Sequence, residues 1–561
     1  LSATNSTYGI TSVNAGVLSI ASTPNAGAIV NNAEIQPASA ASVLTIPNAI
    51  SGTGHFFFTG FQTTVLTGVS SFTGVNTVFW SDVIVDNAQA LGDTTTGKTV
   101  ISGADRFGGL YLSNNITWSQ PMQLDTRYTT GAAATAPHVA NVSGTNTVTS
   151  ALTFATGSAA GVNGTNVNVE VTAGQLTIDA TSTLANNANS NPNILNLQGA
   201  GTGIWNGVLA NSSQPLSVTM RGTGTWTLGG TNTYTGNTTI SAGTLALSGN
   251  GQITNSTKII LAGGTTLDVS AMNSPFALGS SQTLSNSTST AVLAGNAGTG
   301  SGTVSLTFAS GTPALSETNG TLTLSSSTTF KVNNTGSTLA LGSYKIIATN
   351  TGGFVAGTLP TPTVSGAGAL AGHPVVLSIV NSELYLVVTN TAPTANFLSM
   401  GAVSGLPVTL KIIGGKHAPV DPDGDAVTVT AVGAAGNGTT STDGTNVTYT
   451  ASGSFTGSDS FTYTVTDTYG ATATASVTVT VVASGEGFNK VSGPTALGGG
   501  DFRLTFLGVP GYSYALDWTG SLTPPVTWTP QLTNAADTNG FLIFTNNQVG
   551  SPNFWRTRNV P

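Results

Sequence analysis

Asp421, Asp423, Asp425, Asp459 and Asp467 form the densest grouping of reactive side chains in the sequence. Asp421, Asp423 and Asp425 alternate in Asp421-Pro422-Asp423-Gly424-Asp425, just ahead of the run Val427-Thr428-Val429. Carboxylates this close repel one another unless a cation lies between them. Hard oxygen ligands at this density suit Ca2+, with Asp459 and Asp467 to complete the shell. The same string also reads as an Asx turn with Gly424 at the bend, which needs no metal. Lys416, a few residues upstream, offers a positive charge that offsets part of the repulsion. Both readings stand as expectations.

Other reactive groupings are sparse. A glycan-cleaving site needs carboxylates converging on one bond. Between residues 126 and 267 the charged side chains are Arg127, Glu170, Asp179, Arg221 and Lys258. Glu170 and Asp179 do not have the spacing of one turn of a coil, so both are expected as solvated turn residues. Asp82, Asp86, Asp93, Asp105 and Arg106 make a denser patch, expected as surface charge. His55, His138, His373 and His417 are scattered, without the H-x-x-x-H spacing of a zinc site. No serine lies in G-x-S-x-G. Gly199–Gly203 is glycine-rich, but no helical pattern follows to hold a phosphate. The absence of cysteine excludes thiol catalysis and thiolate metal sites. Trp518, Trp528 and Trp555 are a sugar-stacking platform or, as a small module more often demands, its core. No enzyme is expected.

The elements that position these residues follow from composition. Only 6% of residues are charged and 71 of 561 are Gly, yet 39% are hydrophobic. Val, Ile, Thr and Leu recur in short alternating runs between Gly, Asn and Ser, the pattern of many short strands. Helix formers are scarce. Basic residues are too few to track a phosphate backbone or an anionic membrane, so nucleic acid is not an expected partner. No run of 18 or more apolar residues occurs, so no transmembrane helix is expected. The sequence reads as a mature exported chain whose signal peptide has been removed, or as a chain whose beginning is not included.

Repeats give the architecture. Gly222–Ile253 holds three short β runs, Thr225–Leu228, Thr238–Ile240 and Thr244–Leu247, separated by Gly229-Gly230, Gly236-Asn237 and Ala242-Gly243. Strands this short with bends this frequent suit a coil in which each strand pairs with its equivalent one turn later. The segment resembles the autotransporter-associated β-strand repeat at Gly224, Thr225, Trp226, Leu228, Gly230, Asn232, Tyr234, Gly236, Thr238, Ile240, Gly243, Thr244 and Leu245. That resemblance implies a right-handed parallel β-helix in an exported, passenger-type protein. Weaker likeness extends over roughly residues 70 to 390, and Ser343–Val388 resembles the closing rungs of such passengers. No stretch resembling a translocator barrel follows it. Rungs of roughly 20 to 25 residues at about 4.8 Å predict a rod on the order of 75–90 Å.

Residues 394 to 482 resemble bacterial cadherin-like or Ig-like repeats, through the aspartate string and Phe455–Asp467. This implies a seven-strand antiparallel sandwich and, in some relatives, calcium. Lys416-His417-Ala418 stands where relatives usually carry another acid. A Gly-rich hinge at Ser484–Gly487 leads to a last module that resembles small C-terminal β domains of exported bacterial proteins. The expected fold class is thus all-β: a parallel β-helix over 1–390, a sandwich over 391–483 and a small β domain over 484–561. The expected role is structural, at the bacterial surface or outside the cell, as a self-associating fibre or matrix subunit. Charge-poor strands near Tyr8–Val13, Gly16–Ile20 and Ser42–Ile46 serve either as docking strands or as the first rungs of the rod. A surface adhesin contacting glycans is the second expectation, and a carbohydrate-active enzyme the third.

Overall fold

The computed structural model describes residues 10–24, 27–38, 41–102, 108–128, 134–155, 166–179, 182–184, 193–211, 214–287, 289–309, 311–483, 490–508, 511–537, 540–547 and 553–560. The chain divides into two units. One comprises residues 1–369 and 375–388, the other 370–374 and 389–561.

The first unit is a parallel β-helix. Its principal sheet has 14 strands, from Val43–Ile46 to Pro362–Gly366. A second of 12 strands begins at Thr117–Trp118, and a third of 8 runs from Val17–Ile20 to Ser182–Leu184. The N-terminal strands pair within the chain: Thr11–Val13 lies parallel to Ile29–Asn31, and Val17–Ile20 to Glu34–Pro37. At about 4.8 Å per strand the principal sheet is about 62 Å long. That is shorter than the rod expected over residues 1–390 because this sheet starts at Val43 and ends at Gly366. The cross-rung bond from Thr257 to Asn237 spans 20 residues, whereas that from Thr145 to Asn115 spans 30.

Stacking turns alternation along each strand into continuous rows across strands. Val83, Leu110, Val139, Val169, Leu197, Met220, Ile240 and Leu261 are successive register partners, and all are buried. On the second sheet the inward row reads Leu176, Gly203, Trp226, Leu245, Leu267, Leu293, Glu317. Gly203 is small for a reason: a Cβ there would lie 2.2 Å from the Trp226 ring. The neighbouring outward row is Thr145, Gln175, Thr202, Thr225, Thr244 and Thr266, and its threonines are β-branched side chains that suit a pleated surface.

Asparagine does more than turn corners. Asn114 and Asn115 do take positive φ, but others are buried side chains that satisfy backbone groups inside the coil. Asn146 accepts from the Ile116 N–H at 2.7 Å and donates to the Ser143 carbonyl and the Asn141 side chain. At its C-terminal edge the 12-strand sheet turns antiparallel, as Glu383–Val388 pairs with both Gly342–Thr349 and Val375–Val380.

The second unit holds two β sandwiches. Leu398–Val403, Val477–Val482, Gly457–Thr466 and Thr428–Val432 form one sheet of the first; Pro407–Lys411, Asn446–Ala451 and Gly438–Thr442 form the other. Seven strands are present, but Leu398–Val403 runs parallel to Val477–Val482, so the sandwich is not wholly antiparallel. The C-terminal module packs two three-strand sheets around Phe502, Leu504, Phe506, Leu516, Leu542 and Phe544. The tryptophans are not its centre. Trp555 packs at the margin against Phe502, Trp528 lies under the Arg556 guanidinium at 4.6 Å, and Trp518 donates to Asn553. Phenylalanine and leucine already fill the space. The hinge at Ser484–Gly487 lies outside the described residues.

Candidate functional site

The aspartate string is folded by its own turn. One Asp421 oxygen accepts from the N–H groups of Asp423 (2.8 Å) and Asp425 (3.2 Å), while Gly424 takes φ 88°. This is the Asx turn, and it occupies only Oδ1. Asp421 Oδ2 and Asp425 Oδ2 are buried and have no hydrogen-bond partner. Asp467 reaches the same place, so that Asp421, Asp425 and Asp467 bring ligand atoms within 4.8 Å of one another. Asp467 is itself held by Asn390 Nδ2 at 2.7 Å and by the N–H groups of Tyr469 and Ala471. Burial pushes its pKa up, but these donors pull it further down, below the usual carboxylate value.

Asp459 does not join them. It lies near the start of Gly457–Thr466, and Asp467 follows that strand's end, so at about 3.3 Å per residue the two are about 26 Å apart. Its oxygens accept from the Tyr449 hydroxyl and the N–H groups of Gly436, Asn437 and Ser460. Lys416 is also turned away: its ammonium donates to the Gly511 carbonyl and lies over the Tyr512 ring.

A histidine takes its place instead. Leu370–Pro374 belongs to the second unit, and His373 Nε2 lies 3.2 Å from Asp425 Oδ2 with its side chain 2% exposed. His373, Asp423 and Asp425 form a second group of ligand atoms within 4.8 Å of one another. The ring is held by the Ala371 carbonyl, 3.1 Å from Nδ1, and by Tyr469, edge to face at 5.0 Å. Gly372, with φ 82°, permits this approach, because a Cβ there would sit 1.9 Å from the Asp423 carbonyl oxygen.

Two family models match the chain: the passenger-associated-transport-repeat at residues 218–247, and the bacterial Ig domain at residues 390–480. The chain thus carries a passenger-associated repeat within its parallel β-helix and a bacterial Ig domain after it. The pairing implies an exported, surface-associated protein. No curated protein matches it.

The passenger β-helix keeps its charges apart. Asp93 caps its own turn through the hydroxyls and N–H groups of Thr95 and Thr96, which lower its pKa. Asp82 is raised by burial, against a hydrogen bond from Tyr111. Asp105 and Arg106 lie outside the described residues. Glu170 pairs with Gln198 and Thr172, and Asp179 with Asn206, so the two acids have separate partners. Arg127 is fully buried and donates to the carbonyls of Ala136, Pro137 and Gly108, and burial drives the pKa of adjacent His138 down. Nothing in the sequence marks Arg127 as interior, because its partners are all backbone carbonyls. His373 stands far from Asp421 in sequence and within the 1–390 range, where it reads as part of the rod.

Proposed function

We propose that this protein is a non-catalytic structural subunit of the bacterial surface, a self-supporting column that associates with further copies of itself. The observation that carries the reading is the stacked register. Apolar rows run inward and threonine rows outward over successive rungs, so stability accumulates rung by rung without disulfides or charge networks. Self-association is supported by the surface of the first rungs. Ile10, Val17, Val43, Phe61, Val69 and Val75 are exposed, whereas no large hydrophobic is exposed among the described residues from 76 to 353. Glu34 is the one charged residue before Asp82, so little charge repulsion opposes the approach of a second copy at this face. Ca2+ at Asp421, Asp425 and Asp467 would consolidate the Ig module, since two buried carboxylate oxygens there lack donors. Sedimentation velocity across a concentration series, with negative-stain microscopy, tests the self-association. Concentration-dependent assemblies that dissolve in Val43→Lys and Val75→Lys variants are expected; a monomer at every concentration overturns it.

One observation favours the adhesin reading as a second. Phe61 stacks on Trp80 at 4.9 Å, Trp80 meets Phe79 at 5.3 Å, and Phe79 meets Phe57 at 5.7 Å, which makes a partly exposed aromatic platform on the side of the helix. Sugar rings stack on such faces. Glycan-array binding by monomers that is lost in Trp80→Ala would favour this role over the fibre.

A further inference from the structure

We propose that His373, Asp423 and Asp425 form a transition-metal site of the Zn2+ class, separate in preference from the all-carboxylate Ca2+ position beside it. Three observations converge. The first is the tautomer. A carbonyl oxygen only accepts, so the 3.1 Å contact to Ala371 requires the proton on Nδ1. In the neutral ring Nε2 then carries a lone pair. A ring N–H given to a backbone carbonyl is the usual support of a metal-bound imidazole.

The second is what Nε2 faces. It lies 3.2 Å from Asp425 Oδ2, an ion pair when the ring is protonated, yet neither buried atom has a hydrogen-bond partner. A lone pair and a carboxylate oxygen held this close, both out of water, repel unless a proton or a metal cation lies between them. The third is the donor set. An imidazole nitrogen with two carboxylates suits Zn2+ and its neighbours, whereas Ca2+ takes oxygen ligands. The surroundings fix the ring for this use. Tyr469 packs against its edge, Gly372 admits the loop, and one Asp423 oxygen is oriented by the Thr391 N–H at 2.6 Å. Asp425 belongs to both ligand groups, so it is the shared carboxylate between the two positions.

This assignment does not depend on the fibre reading, and the test separates it from the calcium position as well. Zn2+ and Ca2+ are titrated separately by calorimetry into the full chain and into His373→Gln, Asp423→Asn and Asp421→Asn variants, with circular dichroism to confirm that each is folded. Co2+ is added in parallel as a visible probe of nitrogen–oxygen ligation. The expected result is that Zn2+ affinity falls at least about tenfold in His373→Gln and Asp423→Asn. The Co2+ absorption should disappear in the same two variants, while Ca2+ binding persists in His373→Gln and weakens in Asp421→Asn. The inference is overturned if the folded wild-type chain binds no Zn2+ at micromolar concentration. It is equally overturned if Zn2+ binds with unchanged affinity and unchanged Co2+ spectrum in folded His373→Gln.

Discussion

Replacing Glu317 by Gln should stabilise the β-helix at pH 8 and change it little at pH 5. Glu317 follows Trp226, Leu245, Leu267 and Leu293 in one inward row. It is buried, and neither carboxylate oxygen has a hydrogen-bond partner. Burial alone pushes its pKa from 4.5 up to about 8. Between those values the folded chain holds a proton that the unfolded chain has released. Stability is therefore fully present below pH 4.5 and is lost as pH rises, by about 1.4 kcal/mol per pH unit, until the folded group ionises. From pH 5 to pH 8 the loss sums to about 4 kcal/mol. Glutamine has nearly the same shape and does not titrate, so the variant keeps what the wild type loses. Urea unfolding at pH 5, 6, 7 and 8, followed by the fluorescence of the buried Trp118, Trp205 and Trp226, measures the difference. The midpoints should coincide at low pH and separate progressively above it. Parallel pH profiles for the two proteins would refute the reasoning, because they would show that Glu317 reaches water or a donor.

Gly203→Ala should destabilise the β-helix by about 2 kcal/mol, since the new methyl meets the Trp226 ring; the urea midpoint of that transition reports it. Asn146→Ala should cost about 3 kcal/mol by stranding the Ile116 N–H and the Ser143 carbonyl inside the coil, and hydrogen exchange should accelerate at Ile116. Burial raises the Asp459 pKa, but donation from Asn437, Ser460, Tyr449 and Gly436 holds it below the usual carboxylate value. The stability it contributes to the sandwich is present above about pH 4 and lost as pH falls through the folded value; thermal melts of Asp459→Asn between pH 2 and pH 5 should be flatter than those of the wild type.

The β-helix was legible because its signal is local. Thr225–Leu228, Thr238–Ile240 and Thr244–Leu247 can be read as strands from alternation alone, and the structure forms all three, extending the last to Gly249. The aspartate turn was equally legible, since Asp421, Gly424 and their backbone partners are neighbours in sequence. What escaped depends on contacts made at long separation. Asp459 and Asp467 look alike beside the string, but a full strand separates them. His373 reaches Asp425 because of where its loop is placed, which no periodicity encodes. Glu317 resembles any polar residue in a short strand until the register shows that its neighbours are Leu293 and Thr349.

The central claim is that successive coils stack in register as one column, and spin-label distances test it most directly. The chain has no cysteine, so two can be introduced without competition. Thr145 and Val292 are joined through Gln175, Thr202, Thr225, Thr244 and Thr266 by six register steps. At about 4.8 Å per step, nitroxides on Thr145→Cys and Val292→Cys should give a narrow electron–electron distance centred near about 29 Å. A broad distribution, or a sharp peak beyond about 40 Å, would contradict the stacked column.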